Sequence, residues 1–395
     1  MSVAHNILGN TGESVSRLGF GCMRLPLRGD GRVDRETTEK MFALALDNGV
    51  NYFDTAYNYL NMESEVVVGE ILGRYERSRY YVTTKLPLIM LRSYAECKEV
   101  FATQKERLKC GIDHYLLHGV NARLWENVKK WGLIDFMQEL KAGGEIGSFG
   151  FSFHDSYECF DEVIHAAPWD LCQIQYNYMD EHSQAGRRGL EAAQAKGVPV
   201  IIMEPLRGGR LVNLLPKAAQ ARIAEHPHGW TAAQWSLNWL WDQSGVTCVL
   251  SGMNSMEMVQ ENLRAACASR AGSFTEQDFS FIDGLRKEIN ASVRVGCTGC
   301  GYCMPCPQGV DIPGSFRCLN EIAIDGKKKA TKEYWQVTAV RKVPGSASRC
   351  IGCGKCERHC PQQIPIREML KVAAKELETP FYRIGRWVMQ VWKPW

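Results

Sequence analysis

The chain lacks any apolar run long enough to cross a bilayer: its longest, such as Val198–Met203, fall far short of the ~20 residues a spanning helix needs. Its start, Met1-Ser2-Val3-Ala4-His5-Asn6, has neither a basic nor an apolar leader region, so no secretory signal and a cytoplasmic location are expected. Net charge is almost absent as well. Against 47 Lys and Arg stand 44 Asp and Glu, a balance of +3 that argues against chain-wide attraction to nucleic acid. No Gly-x-Gly-x-x-Gly turn follows the first candidate strand, which speaks against an open dinucleotide-binding sheet. The sequence has no tandem repeat at a solenoid period and no flavin fingerprint. Its one low-complexity tract, Lys327-Lys328-Lys329, reads as a solvated helix face.

Apolar residues are plentiful, at 45% against 23% charged, and the length suits two to three domains at roughly 150 residues each. Up to about residue 290, short β-rich runs alternate with amphipathic helical stretches. Candidate strands are Leu18–Met23, Tyr52–Asp54, Tyr80–Lys85, Tyr115–His118, Ile146–Phe151, Leu171–Gln175, Val198–Met203 and Val246–Leu250. Helical patterns between them include Asp34–Asn48, Glu63–Arg74, Tyr94–Cys110, Ser183–Lys196, Thr231–Trp241 and Ser255–Ala266. Several strands are near-continuous apolar runs, as parallel strands covered on both faces should be. Eight such units fit a closed (β/α)8 TIM barrel, whose usual size is ~250 residues. A doubly wound open sheet is the alternative. The pattern divides the chain into a barrel over 1–292, a small, mostly helical, cysteine-rich domain over 293–379, and an aromatic and basic tail over 380–395. The tail carries Arg383, Arg386 and Lys393. It is expected to form a helix packed on the barrel, with a partner or a membrane surface as the other reading.

Cysteine usage is the most informative feature. Nine of the sixteen cysteines follow Gly296, and in a chain without an export signal such crowding reads as metal ligation rather than disulfides. The first run is Cys297-x2-Cys300-x2-Cys303-x2-Cys306-Pro307 and the second is Cys350-x2-Cys353-x2-Cys356-x3-Cys360-Pro361. The second has the bacterial ferredoxin spacing, in which the fourth cysteine ligates the other 4Fe–4S cluster. By that logic one cluster takes Cys297, Cys300, Cys303 and Cys360, and the other takes Cys350, Cys353, Cys356 and Cys306. The glycines at 299, 301, 352 and 354 let the backbone wrap closely around a cluster. The first run is one residue shorter than the standard spacing. A pair of zinc ribbons is the alternative, although zinc ligands come as two pairs rather than as runs of four. Cys318 and the seven cysteines from Cys22 to Cys267 are read as structural.

Active sites of such barrels lie at the C-terminal ends of the strands. There the candidate barrel places Asp54, Lys85 and His118, with Tyr57 and Tyr59 just beyond Asp54. A phenol beside an ammonium and a carboxylate makes a proton donor for a carbonyl oxygen: the ammonium is expected to lower the phenol toward working pH, the carboxylate to hold the Lys, and a His to orient the substrate. Over about residues 6–290 the chain resembles the aldo/keto reductases. The resemblance rests on Leu18-Gly19-Phe20-Gly21-Cys22-Met23, Asn51-Tyr52-Phe53-Asp54-Thr55-Ala56-x-x-Tyr59, Val82-Thr83-Thr84-Lys85 and Asp113-His114-Tyr115-Leu116-Leu117-His118. It implies a catalytic tetrad of Asp54, Tyr59, Lys85 and His118, and selects Tyr59 over Tyr57. Together with the cysteine-rich segment, the chain resembles the family's iron–sulfur branch.

The resemblance also implies a nicotinamide cofactor, NAD(P)H, extended across the barrel mouth. Ser152 and Gln173 match positions that hold the carboxamide, though Phe153 stands where an Asn is usual. Leu206, Arg207, Gly208 and Gly209 match the pyrophosphate loop, and Ser255, Glu261 and Asn262 the adenine-side segment. The Lys and Arg that pair the 2′-phosphate of NADP in well-known members are missing near Gly252 and Met258, so NAD against NADP stays open. The expected activity is reduction of a small-molecule carbonyl, or oxidation of an alcohol. An electron-transfer protein with the barrel as a docking scaffold is the alternative, as is a reductase driven by ferredoxin electrons. An inactive barrel stabilised by clusters is the third. From Cys297 onward, sixteen Lys and Arg face eight Asp and Glu. That excess suits an acidic electron carrier such as ferredoxin or flavodoxin.

Overall fold

The computed structural model describes residues 2–339 and 343–392. Lys393, counted above with the tail, lies outside them. Two compact units are present, and they do not simply follow chain order. One comprises Met1–Leu206 and Ala233–Thr275; the other comprises Arg207–Ala232 and Glu276–Trp395.

The first unit opens with an antiparallel hairpin, β1 (His5–Leu8) and β2 (Glu13–Ser16), which the sequence reading missed. Eight parallel strands follow: β3 (Leu18–Gly21), β4 (Tyr52–Asp54), β5 (Tyr81–Leu86), β6 (His114–Val120), β7 (Ser148–Phe153), β8 (Leu171–Gln175), β9 (Val200–Met203) and β10 (Val246–Ser251). They close in sequence order, with β10 pairing back onto β3. Strands β4, β7 and β8 are buried along their whole length, as parallel strands covered on both faces should be. Leu8 and Val15 of the hairpin pack with Tyr52, Leu116, Leu171, Ile201, Cys248 and Leu250. Tyr52 and Leu171 begin their strands, so this plug fills the barrel toward the strands' N-terminal ends. Leu8 and Val15 are fully buried, each worth about 1.5–3 kcal/mol.

The intervening helices begin where short polar side chains satisfy free backbone N–H groups. Asp34 accepts from Thr37 N at the head of Arg35–Asp47, Asn121 from Leu124 N before Ala122–Lys130, and Ser156 from Cys159 N before Tyr157–His165.

The second unit is helical. Its core joins Val310, Phe316, Leu319, Tyr334, Leu370 and Leu377, and six of the eight clustered cysteines (all but Cys300 and Cys353) pack against it. The last helix, Pro380–Trp392, belongs to this unit. Its anchor, Tyr382, is buried in this second core, with its hydroxyl 2.7 Å from Ser346 Oγ and 2.8 Å from Thr338 Oγ1.

Candidate active site and cysteine cavity

Asp54 ends β4 and Lys85 lies near the end of β5, so the parallel register brings both to the same end of the barrel. There Lys85 Nζ donates to Asp54 Oδ1 at 2.5 Å and to the Thr55 carbonyl at 2.7 Å. The ammonium also lies 5.0 Å from the centre of the Tyr59 ring. Tyr59 meets His118 edge to face, their ring centres 5.8 Å apart. All four residues proposed for proton chemistry therefore share one small volume. Tyr57 points to another environment, with the Arg107 guanidinium 4.3 Å from its ring centre.

Gln173, midway along β8, joins the same group. Its Nε2 donates to Asp54 Oδ2 at 2.6 Å, so both carboxylate oxygens are occupied by buried donors. Sequence reading placed Gln173 against a cofactor and gave no sign of this contact, which spans 119 positions of chain. Two further neighbours were missed. The buried Cys22 thiol feels the charges of Asp54 and Lys85, and His154, just past β7, is close enough to bear on His118.

Electrostatics reverse one expectation. Burial, followed by the Asp54 carboxylate, pushes the Tyr59 phenol well above its ordinary value rather than down toward neutrality. Lys85 is spent on Asp54 and Thr55 and lies over the ring rather than at the hydroxyl. Burial, then Lys85 and His154, hold His118 well below the usual imidazole range. A protonated phenol and a neutral imidazole thus stand together through neutral pH.

The residues matched to a nicotinamide cofactor are placed separately. Ser152 is paired in register with Gln173, and its hydroxyl accepts from Gly119 N at 2.8 Å. Gln173 Oε1 is buried without a hydrogen-bond partner among the described residues, leaving an acceptor of the kind a carboxamide NH2 needs. Ser255 caps Met256–Ala268 by accepting from Met258 N, and Asn262 Nδ2 donates to Ser251 Oγ at 2.8 Å. Glu261 is half-buried on the same helix. Leu206 ends a stretch of the first unit. Arg207, Gly208 and Gly209, all at positive φ, belong to the second, where the neighbouring Arg210 donates to the Cys297 carbonyl at 2.5 Å.

Within the second unit, Cys297, Cys300, Cys303 and Cys360 line one small cavity with Ile312, Phe316 and Pro361. Three thiols from the first run and the last of the second are thus brought together. Cys303 is pushed up by burial and then by Cys300, Cys297 and Cys360. Gly299 and Gly301 take φ of 71° and 80°, and Gly299 N donates to Cys297 Sγ at 3.4 Å. Cys306, Cys350 and Cys356 pack against the same core, while Cys353 is exposed. Four thiols around a cavity, backed by a backbone N–H aimed at sulfur, fit an iron–sulfur cluster. Among the described residues no three His, Cys, Asp or Glu converge on a single-ion site. Cys318 is fully buried in the core, as expected for a structural side chain.

Residues 17–287 match the model of the aldo/keto reductase family. The chain belongs to the aldo/keto reductase family. It is an oxidoreductase, and residues 296–364 match a 4Fe-4S dicluster domain, which replaces the zinc-ribbon reading. The closed barrel likewise replaces the open sheet. This member is 24% identical over 310 residues to the NADH-specific methylglyoxal reductase of Escherichia coli (strain K12), covering 65% of this chain and 92% of that one. It is 26% identical over 315 residues to the uncharacterized oxidoreductase YqkF of Bacillus subtilis (strain 168), covering 71% and 96%. Among solved structures, it shares the fold of the holo form of aldo-keto reductase AKR11C1 from Bacillus halodurans, with a TM-score of 0.60, 24% identity and coverage of 72% and 96%. An aldo/keto reductase from Klebsiella pneumoniae in complex with NADP and acetate gives a TM-score of 0.59 at 22% identity, again covering 72% and 96%. Among the described residues no helix is long and apolar enough to cross a membrane.

Proposed function

We propose that this aldo/keto reductase reduces a small carbonyl compound with NADH or NADPH, and that its helical unit carries two 4Fe–4S clusters. The carrying observation is the clustering of Asp54, Lys85, Tyr59 and His118 at one end of the barrel. When bound, the nicotinamide supplies a hydride. Tyr59 donates the proton to the carbonyl oxygen, and its raised phenol keeps that proton available at neutral pH. Neutral His118 orients the carbonyl by hydrogen bonding. Lys85, pinned by Asp54 and Thr55, places positive charge under the ring as the alkoxide develops. Gln173 and Ser152 are proposed to face the carboxamide, and Ser255, Glu261 and Asn262 the adenosine. For Leu206, Arg207, Gly208 and Gly209, the pyrophosphate role rests on the family resemblance. Substituting Tyr59→Phe is expected to lower kcat by ~10²–10⁴-fold while leaving nucleotide affinity nearly unchanged, because the phenol proton is needed only in the transition state. More than about a tenth of wild-type kcat would rule Tyr59 out and send the search to Tyr57.

For the metal, one cluster is assigned to Cys297, Cys300, Cys303 and Cys360, and the other to Cys350, Cys353, Cys356 and Cys306. The shared cavity of the first four supports that grouping. A second reading follows from the clusters, each of which moves one electron where hydride transfer moves two. Exposed Cys353 and the basic excess after Cys297 favour an acidic electron carrier, such as ferredoxin or flavodoxin, as a partner in the cytoplasm. In that reading the carrier's electrons, rather than NAD(P)H, drive the reduction.

A further inference from the structure

The last helix, Pro380–Trp392, is amphipathic in an unusual arrangement. One side is rooted: Tyr382 is 1% exposed and hydrogen-bonded to Ser346 and Thr338. The opposite arc is apolar and uncovered. Phe381, Ile384, Trp387, Val388 and Val391 are 83%, 64%, 65%, 38% and 56% exposed. Their spacing of three and four residues puts all five on one stripe of the helix. A large apolar stripe facing water costs free energy unless something covers it.

Charge decides what covers it. From Phe381 to the end of the sequence there are three basic residues, Arg383, Arg386 and Lys393, and no Asp or Glu. Arg383 is exposed at the border of the stripe, next to Trp387 in the helical projection. Arg386 is turned inward, 3.3 Å from Ser348 Oγ and 4.0 Å from Glu378 Oε2. A second copy of the chain would bring like charges together at this face. An anionic surface would not. Exposed Trp and Phe on one face of a helix with a basic border is the composition of helices that lie in the plane of a membrane interface.

We propose that Pro380–Trp392 docks this protein in plane on an anionic lipid bilayer. Phe381, Ile384, Trp387, Val388 and Val391 enter the headgroup and acyl boundary, and Arg383 meets lipid phosphate. Binding is peripheral and reversible: one short helix supplies limited apolar area, so the electrostatic contribution decides between bound and free.

The test is sedimentation of the full-length, anaerobically purified protein with vesicles of phosphatidylcholine alone or with phosphatidylserine added. Expected is binding to the mixed vesicles, strong in low salt and lost in high salt, with a blue shift of tryptophan emission. Phe381→Asp combined with Trp387→Asp should abolish it, and Arg383→Glu alone should weaken it about tenfold. All three positions are exposed, so iron content and reductase activity should remain at wild-type levels. Equal binding to both vesicle types, or none to either, overturns the proposal. So does a self-association, seen by light scattering, that the double variant dissolves, which would make this face a contact between copies.

Discussion

The two functional regions of the molecule are built in opposite ways. At the barrel end, the central ion pair already has its partners from the chain. Lys85 is held by Asp54 and Thr55, and Asp54 by Lys85 and Gln173. In the helical unit, four thiols face a shared cavity and the thiols themselves form part of the packing around the core. The first arrangement holds its own charges and leaves one open acceptor, Gln173 Oε1. The second lines a small cavity with thiols beside its apolar core, so metal binding there adds to its folding energy. A protein assembled this way should lose its two halves by different routes.

Removing metal ligands should give the largest effect. Cys353 is exposed, so Cys353→Ser disturbs little packing, yet it takes a thiolate from a proposed cluster. We expect loss of about one cluster's iron, with proteolysis concentrated after residue 296 and the barrel intact. Cleavage spread evenly along the chain would break the contrast between the halves. Next in size is Gln173→Leu, which removes the buried donor at 2.6 Å from Asp54 Oδ2. An unsatisfied buried acceptor costs about 1–3 kcal/mol. The urea midpoint of the barrel should fall accordingly, with kcat reduced and iron content unchanged. An unaltered midpoint would mean that Gln173 is not holding the carboxylate.

A third contrast is a pH dependence of the barrel. Burial, with Arg77 second, holds His114 down at about 3, and burial holds His154 at about 4, while His118 is also strongly lowered. A histidine whose folded value is depressed stabilises the fold above its unfolded value of ~6.5. That contribution is lost as pH falls from there toward the folded value, because only the unfolded chain takes up the proton. The barrel's urea midpoint should therefore decline between pH 7 and pH 4.5. A midpoint constant over that interval would contradict the lowered values of these three imidazoles.

Much of this contrast was legible in the sequence, and what escaped has physical causes. Strands Tyr52–Asp54 and Leu171–Gln175 were read to the residue, their bounds coinciding with the paired segments. Ile146 and Val198 were read into strands yet precede them: both are buried, and an apolar run reports burial rather than hydrogen bonding. The hairpin at the barrel's closed end escaped because only Leu8, Val15 and Ser16 of its eight residues are buried, too few to set a pattern. Asp54, Tyr59, Lys85 and His118 were found by motif, and their meeting follows from parallel register. The state of Tyr59 was not legible. Whether an ammonium lowers a phenol depends on which atoms it approaches, and Lys85 approaches the ring face. The Gln173–Asp54 bond joins strands far apart in the chain, and no local pattern encodes it.

The central claim, hydride transfer within the barrel, is tested most directly by a single turnover with nicotinamide deuterated at C4. The full-length, iron-loaded protein is mixed anaerobically with [4,4-²H2]NADH or [4,4-²H2]NADPH and a carbonyl substrate. The account predicts deuterium on the carbinol carbon of the product with wild-type protein, and its near-complete absence with Tyr59→Phe. Product formed without deuterium, in step with reoxidation of pre-reduced clusters, would contradict it and assign the electrons to the helical unit.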